Sequence, residues 1–134
     1  MAVKNASQNV ERLHLGNRVD VPLGHGLTTV ASTERFDIMI ANLPGRNKPA
    51  VDDTSAAQWD TNFQAHRALF ERAAGHLAPE GVIFMAKANY PDLLEMVSLA
   101  ELHGFKVGVA GCSGQQVHDP RKYYVLELRV AGDV

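Results

Sequence analysis

The chain has 134 residues, enough for one domain that buries roughly two thirds of its unfolded surface. Its net charge of −2 argues against a dominant phosphate-binding surface, although a local basic patch remains compatible with it. Cys112 is the only cysteine, which excludes an internal disulfide, and no apolar stretch approaches the length of a membrane span. We therefore expect a cytoplasmic protein with no membrane partner.

The first part of the chain predicts a helix, a short strand and a sharp turn. Apolar residues between positions 3 and 14 recur at spacings of three and four, which is typical of an amphipathic helix. Residues 19–23 have the composition of a short strand, with Pro22 suited only to its end. The glycine-rich residues 24–26 then predict a turn.

The middle of the chain predicts a buried strand followed by a helix. Residues 36–41 form an apolar run without alternation, which indicates burial on both faces, as in a parallel sheet. Ser55 and Gln58 match a capping box that begins a helix, and apolar residues at helical spacing extend it as far as Pro79. His66 lies on the apolar face of this helix, and we interpret it as a core histidine with a satisfied hydrogen bond.

The second half of the chain predicts three further strands and one helix. The helix begins at Pro91 and ends near Gly104. The connection 111–122 is too short for a crossover helix, so the last strand is expected to run antiparallel to its neighbour. Helices alternating with apolar strands predict an α/β fold with a mainly parallel sheet. The predicted strands are 82–86, 106–110 and 123–130.

Three of the predicted strands end in residues suited to ligand binding. They are followed by residues 24–26, 42–45 and 87–90, which combine glycine, asparagine, histidine, lysine and tyrosine. Ligands of open α/β sheets bind beyond the carboxyl ends of the strands. The topology therefore predicts that these three segments meet at one edge of the sheet.

The stretches "FDIMIANLPG", "LFERAAGHLAPEGVIFMA" and "HGFKV" resemble the latter part of a class I S-adenosylmethionine-dependent methyltransferase, in the same order and spacing. More narrowly, they resemble the small-domain enzymes with an N-P-P-Y motif. Those enzymes methylate the glutamine amide of release factors or exocyclic base amines in ribosomal RNA. The ending "YYVLELRV" looks most like the release-factor group. The resemblance implies that residues 1–134 form one partial Rossmann-like sheet domain, the C-terminal part of the family's catalytic domain.

The resemblance also implies roles for residues at the predicted edge, with S-adenosylmethionine as the methyl donor and no metal. Asn42 and the Leu43 carbonyl would position a planar acceptor nitrogen, and Pro44 would stiffen the turn. Gly45 stands where the family has a stacking aromatic residue, and Tyr90 is the candidate replacement on the substrate side. The residues implied to bind the cofactor are Gly24, His25, Gly26 and Asn42.

The chain departs from the family because no G-x-G-x-G turn precedes a helix. About the first third or more of the catalytic domain is therefore expected to be missing, including the strands that would lie between residues 19–23 and 36–41 in the sheet. An unpaired strand edge recruits partners. We expect this edge to be covered by a second copy of the chain, by a companion polypeptide or by a rearranged strand 19–23.

Three functions are open at this point. The chain is an N-methyltransferase, a non-catalytic remnant that pairs through its sheet edge, or half of a split enzyme. The acceptor is equally open, and the net charge of −2 slightly favours a protein over a nucleic acid.

Overall fold

The computed structural model describes residues 2–114 and 120–132. It divides the chain into two compact units, Met1–Ala31 and Ser32–Val134. The expectation of a single domain over 1–134 stays a prediction. In the described ranges, no helix has the length and apolar character needed to cross a bilayer.

The first unit consists of one helix and a glycine-containing turn. Helix α1 (Ala2–Arg12) confirms the amphipathic pattern, and a single 3₁₀ turn follows at Gly26–Thr29. The predicted strand 19–23 is wrong, because these residues form no regular element. The Val19 N–H bonds back to the Leu15 carbonyl at 2.9 Å, and Pro22 has no N–H to give to a strand ladder.

The second unit contains a four-stranded sheet in the order β1-β2-β4-β3. Strands β1 and β2 pair in parallel, and β4 pairs antiparallel with both β2 and β3. Three strands therefore share one direction and only the last strand opposes them, which confirms the predicted α/β fold. The strands are β1 (Phe36–Ala41), β2 (Leu77–Ala88), β3 (Phe105–Cys112) and β4 (Tyr123–Val130).

The connection between β1 and β2 differs from the single helix that was predicted. Asn62 and Phe63 adopt left-handed backbone angles, with φ of 54° and 53°, and this interrupts the helical path. Ser55 does belong to a capping box, but as the third helical residue, with Asp52 as the N-cap. The helices of the second unit are α2 (Asp53–Ala56), α3 (Gln64–Ala73) and α4 (Leu93–Leu102), with 3₁₀ turns at Thr61–Phe63 and Ala74–His76.

One face of the sheet carries the core of the second unit. Strand pairing places Ile83 opposite Leu128 and Met85 opposite Leu126, and all four side chains are buried. Helices α3 and α4 contribute further buried apolar side chains, and the Phe70 and Phe105 rings lie 5.9 Å apart. We call this the covered face, defined by Ile83, Met85, Lys87, Leu126 and Leu128.

The other face is largely uncovered where β1 lies. Ile38 is 58% exposed and Ile40 is 84% exposed, so the prediction that residues 36–41 are buried on both faces is wrong. An apolar run does not distinguish a strand buried on both faces from one with a single open face. Among the described residues, β1 also pairs only with β2 and so forms an edge of the sheet. We call this the open face, defined by Ile38, Ile40, Ala86 and Val125.

Candidate functional site

A cavity of about 580 Å³ lies where β1 and β2 end. The pairing of Ala41 with Met85 brings the residues that follow β1 alongside the last residues of β2. Ligands of open α/β sheets bind at this end of the strands. The residues that line the cavity are Asn42, Leu43, Gly45, Arg46, Ala57, Gln58, Trp59, Ala86, Lys87, Ala88, Tyr90, Arg121 and Tyr123.

A second cavity, of about 850 Å³, lies at the opposite end of β2. Its lining includes Arg35, Leu77, Gly81 and Arg129, at the start of β2 and the end of β4. It is larger but contains none of the predicted site residues. We therefore take the cavity at the carboxyl ends of β1 and β2 as the candidate site.

Four of the predicted site residues meet at this cavity. Asn42 is exposed there, and Leu43 and Gly45 line the same wall, with half-buried Pro44 between them. A Cβ atom built on Gly45 would lie 3.4 Å from Cε2 of Tyr90. The aromatic ring of Tyr90 therefore lies directly beside the backbone of Gly45.

Backbone hydrogen bonds hold the loop that follows Asn42. The Gly45 N–H donates to the Gln58 carbonyl at 2.9 Å, and the Asp60 N–H donates to the Arg46 carbonyl at 2.7 Å. The Asn47 N–H donates to Oδ2 of Asp92 at 2.7 Å, just before α4. This wall of the cavity is therefore fixed to both neighbouring segments of the chain.

Cationic side chains lie over aromatic rings around the cavity. Arg46 lies 4.9 Å from the centre of the Tyr90 ring, and Arg121 lies 5.8 Å from that of Tyr123. Nε of Arg46 is buried and has no hydrogen-bond partner among the described residues. A buried donor of this kind costs free energy unless a ligand or water pairs with it.

Three buried ionisable side chains form a line from α3 to the cavity. Asp60, His66 and Lys87 are 5%, 0% and 5% exposed. Oδ2 of Asp60 lies 2.5 Å from Nδ1 of His66, and Nε2 of His66 lies 2.5 Å from Nζ of Lys87. The interpretation of His66 as a core histidine with a satisfied hydrogen bond is confirmed.

Burial controls the protonation of this line. Removal from water, followed by the charge of Lys87, holds the pKa of His66 below its ordinary value of 6.5. The same desolvation lowers the pKa of Lys87 from 10.5 to about 8. A neutral His66 has one N–H, and because the Asp60 carboxylate only accepts, that hydrogen is on Nδ1. Nε2 is then the acceptor for Lys87.

Sequence reasoning missed Asp60 as a site residue, and it placed Lys87 in the strand-end segment 87–90 without assigning it a role. Their positions are 27 residues apart, so spacing gave no indication that one histidine would join them. One local signal was present, because Lys87 is the only charge in the apolar run "VIFMAKA". A lysine in such a run is rarely buried unless it has a partner.

The predicted cofactor residues Gly24, His25 and Gly26 belong to the first unit. A Cβ on Gly24 would collide with Cγ2 of Thr29, so the turn itself requires glycine there. The hydroxyl of Thr28 donates to the His25 carbonyl at 2.6 Å. The local fold explains this turn without a ligand, and the role of the three residues in cofactor binding stays a prediction.

No group of three or more histidine, cysteine or carboxylate side chains suited to a metal ion occurs within 2–114 and 120–132. No family model and no curated protein matches the sequence.

Solved structures do resemble the chain. The structure of a tRNA m1G37 methyltransferase of M. jannaschii aligns with 98% of this chain, and the alignment covers 35% of the methyltransferase. The TM-score is 0.60 and the sequence identity is 15%. The structure of a precorrin-6y C5,15-methyltransferase of Geobacter metallireducens aligns with 93% of this chain, and the alignment covers 59% of that protein. The TM-score is 0.58 and the sequence identity is 14%. The structure of Trm5b of Pyrococcus abyssi aligns with 98% of this chain, and the alignment covers 35% of Trm5b. The TM-score is 0.51 and the sequence identity is 20%.

These likenesses establish the fold as part of a class I methyltransferase fold. The chain spans about a third of the length of two of these proteins and 59% of the third.

Proposed function

We propose that the chain carries the acceptor-binding part of an S-adenosylmethionine-dependent methyltransferase that acts on a planar nitrogen. One observation carries this proposal. Asn42 opens into a cavity at the carboxyl ends of β1 and β2, with the Tyr90 ring beside Gly45, in a fold found in methyltransferases.

Asn42 and Leu43 would act by positioning. The lone pair of an sp² nitrogen is delocalised, so the nitrogen is a weak nucleophile. Fixing its N–H groups on Oδ1 of Asn42 and on the Leu43 carbonyl would direct the lone pair at the methyl group. Pro44 restricts the backbone between these acceptors and the rest of the loop.

Gly45 and Tyr90 would form the flat part of the acceptor site. With no side chain on Gly45, the Tyr90 ring approaches the loop backbone closely. Stacking of a base on an aromatic ring contributes about 1–3 kcal/mol. Tyr90 would supply the stacking surface that the family places at the position of Gly45.

The charges around the cavity favour a nucleobase in a phosphate-containing chain over a protein amide as the acceptor. All three tyrosines and the single tryptophan have a cation over their rings, and Trp59, Tyr90 and Tyr123 line the cavity. Arg46 adds the unpaired buried Nε. Rings for stacking combined with cations for phosphate are typical of single-stranded nucleic acid sites. This local pattern outweighs the net charge of −2, which is spread over the whole chain.

S-adenosylmethionine would supply an electrophilic methyl group on a sulfonium. The cavity volume of about 580 Å³ falls within the usual range of small-molecule sites, about 300–1,000 Å³. Of the residues predicted to bind this donor, Asn42 lines the cavity. Gly24, His25 and Gly26 remain predicted contacts.

Fluorescence of Trp59, the only tryptophan, tests the acceptor site directly. Adenosine monophosphate and a short single-stranded RNA are expected to change its emission, and an unrelated glutamine-containing peptide is not. Tyr90→Ala should weaken RNA binding about 5- to 150-fold, the equivalent of 1–3 kcal/mol. Tyr124→Ala is the matched control, because Tyr124 also has a cation over its ring but is absent from the cavity lining. Equal weakening by both variants would contradict the proposal.

Methyl transfer is tested with radiolabelled S-adenosylmethionine and mixed-sequence single-stranded RNA. Asn42→Ala should lower the rate about 10²- to 10³-fold, the cost typical of a lost polar group at the reacting atoms. Methyl transfer to a glutamine peptide but not to RNA would support the methyltransferase activity and contradict a nucleobase as its acceptor. Absence of transfer from the chain alone, with transfer restored by a companion chain, would identify half of a split enzyme.

A second candidate function is an interaction module that pairs through β1. The observation that favours it is the unpaired edge of β1 with exposed Ile38 and Ile40. Such an edge is a template for another strand. A second copy of the chain or a companion chain would cover it; a rearranged strand 19–23 is excluded, because those residues form no strand.

Sedimentation velocity tests this pairing. The purified chain is expected to form a dimer that Ile40→Lys converts to a monomer, since a charge on the edge opposes strand pairing. Lys106→Arg, on β3, is the control and should leave the dimer intact. A wild-type chain that stays monomeric and gains no partner from a cell extract would exclude the interaction module.

A further inference from the structure

We propose that Lys87 is the proton acceptor of the candidate site and that His66 and Asp60 are the positioning residues that hold it. This inference rests on the proposed function, because it assigns the proton that an acceptor nitrogen loses when it gains a methyl group.

Lys87 lines the same cavity as Asn42, and its amino group contacts the imidazole of His66. Nζ lies 2.5 Å from Nε2 of His66, and the structure gives it no other hydrogen bond among the described residues. A neutral amine that donates one N–H to Nε2 keeps its lone pair unused. Lys87 can therefore hold its position and accept a proton at the same time.

Asp60 fixes the orientation of the imidazole. One carboxylate oxygen of Asp60 accepts from the Ala65 N–H at 2.8 Å. The other accepts from the His66 N–H at 3.1 Å and from the ring at Nδ1. These bonds tie Asp60 to the first turn of α3, as an N-terminal capping carboxylate does. The backbone bonds fix the carboxylate, and rotation of the ring would break its bond from Nδ1, so Nε2 stays directed at Lys87.

Burial and the charges that face Lys87 together set its pKa close to neutral pH. Burial favours the neutral amine, while the carboxylates of Asp60 and Asp92 favour the ammonium form. From β4, Tyr124 is the residue paired with Lys87, and Arg46 and Arg121 line the same cavity. The resulting pKa of about 8 lies close to ordinary working pH, where a general base is most effective.

The chemical step balances without a further reactant. The lone pair of the acceptor nitrogen forms the new N–C bond, and the electron pair of the breaking C–S bond leaves with the sulfur of the donor. The nitrogen now carries one proton too many. Nζ of Lys87 takes that proton and becomes an ammonium, which the neutral His66 and the Asp60 carboxylate behind it stabilise.

Packing alone does not account for this line of residues. Replacing a buried ionic group with apolar residues of similar size is often neutral or stabilising. Two ionisable side chains and a histidine in a core of leucine, isoleucine and phenylalanine therefore suggest a role beyond stability.

NMR titration of the Lys87 ε-methylene in the full chain tests the inference without donor or acceptor. We expect Lys87 to titrate near pH 8, well below its ordinary pKa of 10.5. Asp60→Asn removes a carboxylate that favours the ammonium and should move the pKa lower still. Asp92→Asn should move it in the same direction, which keeps the test available if Asp60→Asn fails to fold. A Lys87 titration near 10.5, or no response to either variant, overturns the inference.

The pH dependence of methyl transfer gives the second readout. The wild-type rate should rise with pH up to about 8 and then level, and Asp60→Asn should move this rise to lower pH. Lys87→Arg keeps the charge but cannot act as a base, so it should lower the rate about 10²-fold or more. Lys106→Arg is the matched control.

The two failures are distinguishable. Full activity of Lys87→Arg overturns the proton acceptor and leaves the methyltransferase intact. Absence of methyl transfer by every variant and by the wild type, both alone and with a companion chain, rejects the proposed function, while the NMR titration still decides the protonation of Lys87.

Discussion

The two faces of the sheet have the same strands but opposite surroundings. On the covered face, Ile83 and Leu128 are completely buried beneath α3 and α4. On the open face, Ile38 and Ile40 are mostly exposed although they alternate along β1 with half-buried residues. Side chains of equal hydrophobicity therefore contribute very differently to stability, and only the covered face can fix a buried polar line such as Asp60, His66 and Lys87.

The described part of the second unit therefore covers only one face of its sheet at β1. The covered face supplies its own core, which is sufficient to position the residues of the cavity. The open face leaves the aliphatic side chains of Ile38 and Ile40 exposed. The following changes measure that contrast.

The largest effect is expected for a large-to-small change on the covered face. Phe70→Ala should lower the free energy of unfolding by about 3–5 kcal/mol, because it leaves a cavity among Phe105 and its neighbours. Ile40→Ala on the open face should change it by less than about 0.5 kcal/mol. Urea unfolding followed by circular dichroism measures both.

A milder pair of variants makes the same comparison if Phe70→Ala fails to fold. Ile83→Val should cost about 0.5–1.5 kcal/mol and Ile38→Val close to nothing. Equal losses from these two valine variants would mean that the open face is covered in solution.

The next effect is a pH dependence that arises only on the covered face. Lys87 binds its proton less tightly when folded, so between pH 8 and 10.5 the unfolded chain holds more protons and stability rises with pH. The difference between the two pKa values, about 2.5, corresponds to a rise of about 3 kcal/mol. Below pH 8 both states are protonated at Lys87, and its contribution is constant.

Lys87→Met isolates this contribution. Subtracting its unfolding curve from that of the wild type at each pH removes the other titrating groups. A difference that does not change between pH 8 and 10 would show that Lys87 has an ordinary pKa in the folded chain.

A smaller effect, with opposite signs on the two faces, is expected for two glycines. A Cβ at Gly81 would lie 2.8 Å from the Ala78 carbonyl and 3.0 Å from that of Phe36, so Gly81→Ala should cost about 1–3 kcal/mol. Gly108, on the same side as the open face, has no atom within 4 Å of a built Cβ. Gly108→Ala should stabilise by about 0.4–1 kcal/mol, because it restricts the unfolded chain. Thermal unfolding distinguishes the signs, and a loss in both variants would contradict the contrast.

The sequence predicted the strands better than the segments between them. Strands 36–41 and 123–130 were predicted with the bounds that the structure has, because β-branched, aromatic and other apolar residues dominate each segment and charged residues interrupt it only singly. Strand 82–86 was predicted too short, since Pro79 and Gly81 resemble stop signals, whereas β2 includes both. The helix from Ser55 failed at Asn62 and Phe63, whose left-handed geometry leaves no signal in the hydrophobic pattern.

The site was predicted in part for a similar reason. Asn42, Leu43, Gly45 and Tyr90 follow strand ends, and the rule that such ends converge brought them to one cavity. Asp60 was missed, and Lys87 was predicted at this edge without a role, because their link through His66 depends on how α3 lies over β2. Local sequence gives no measure of that packing.

The position of β1 at the edge of the sheet has a consequence for how the acceptor site opens. β1 is held by one ladder of hydrogen bonds, so it can leave the sheet at a lower cost than β2 or β4, which each have two neighbours. Asn42 follows β1 directly and would move with it. Amide hydrogens of β1 should therefore exchange with solvent faster than those around Leu128, and a ligand that bridges Asn42 and Tyr90 should slow that exchange. The exchange rate of the β1 amide hydrogens would then report whether a ligand occupies the acceptor site.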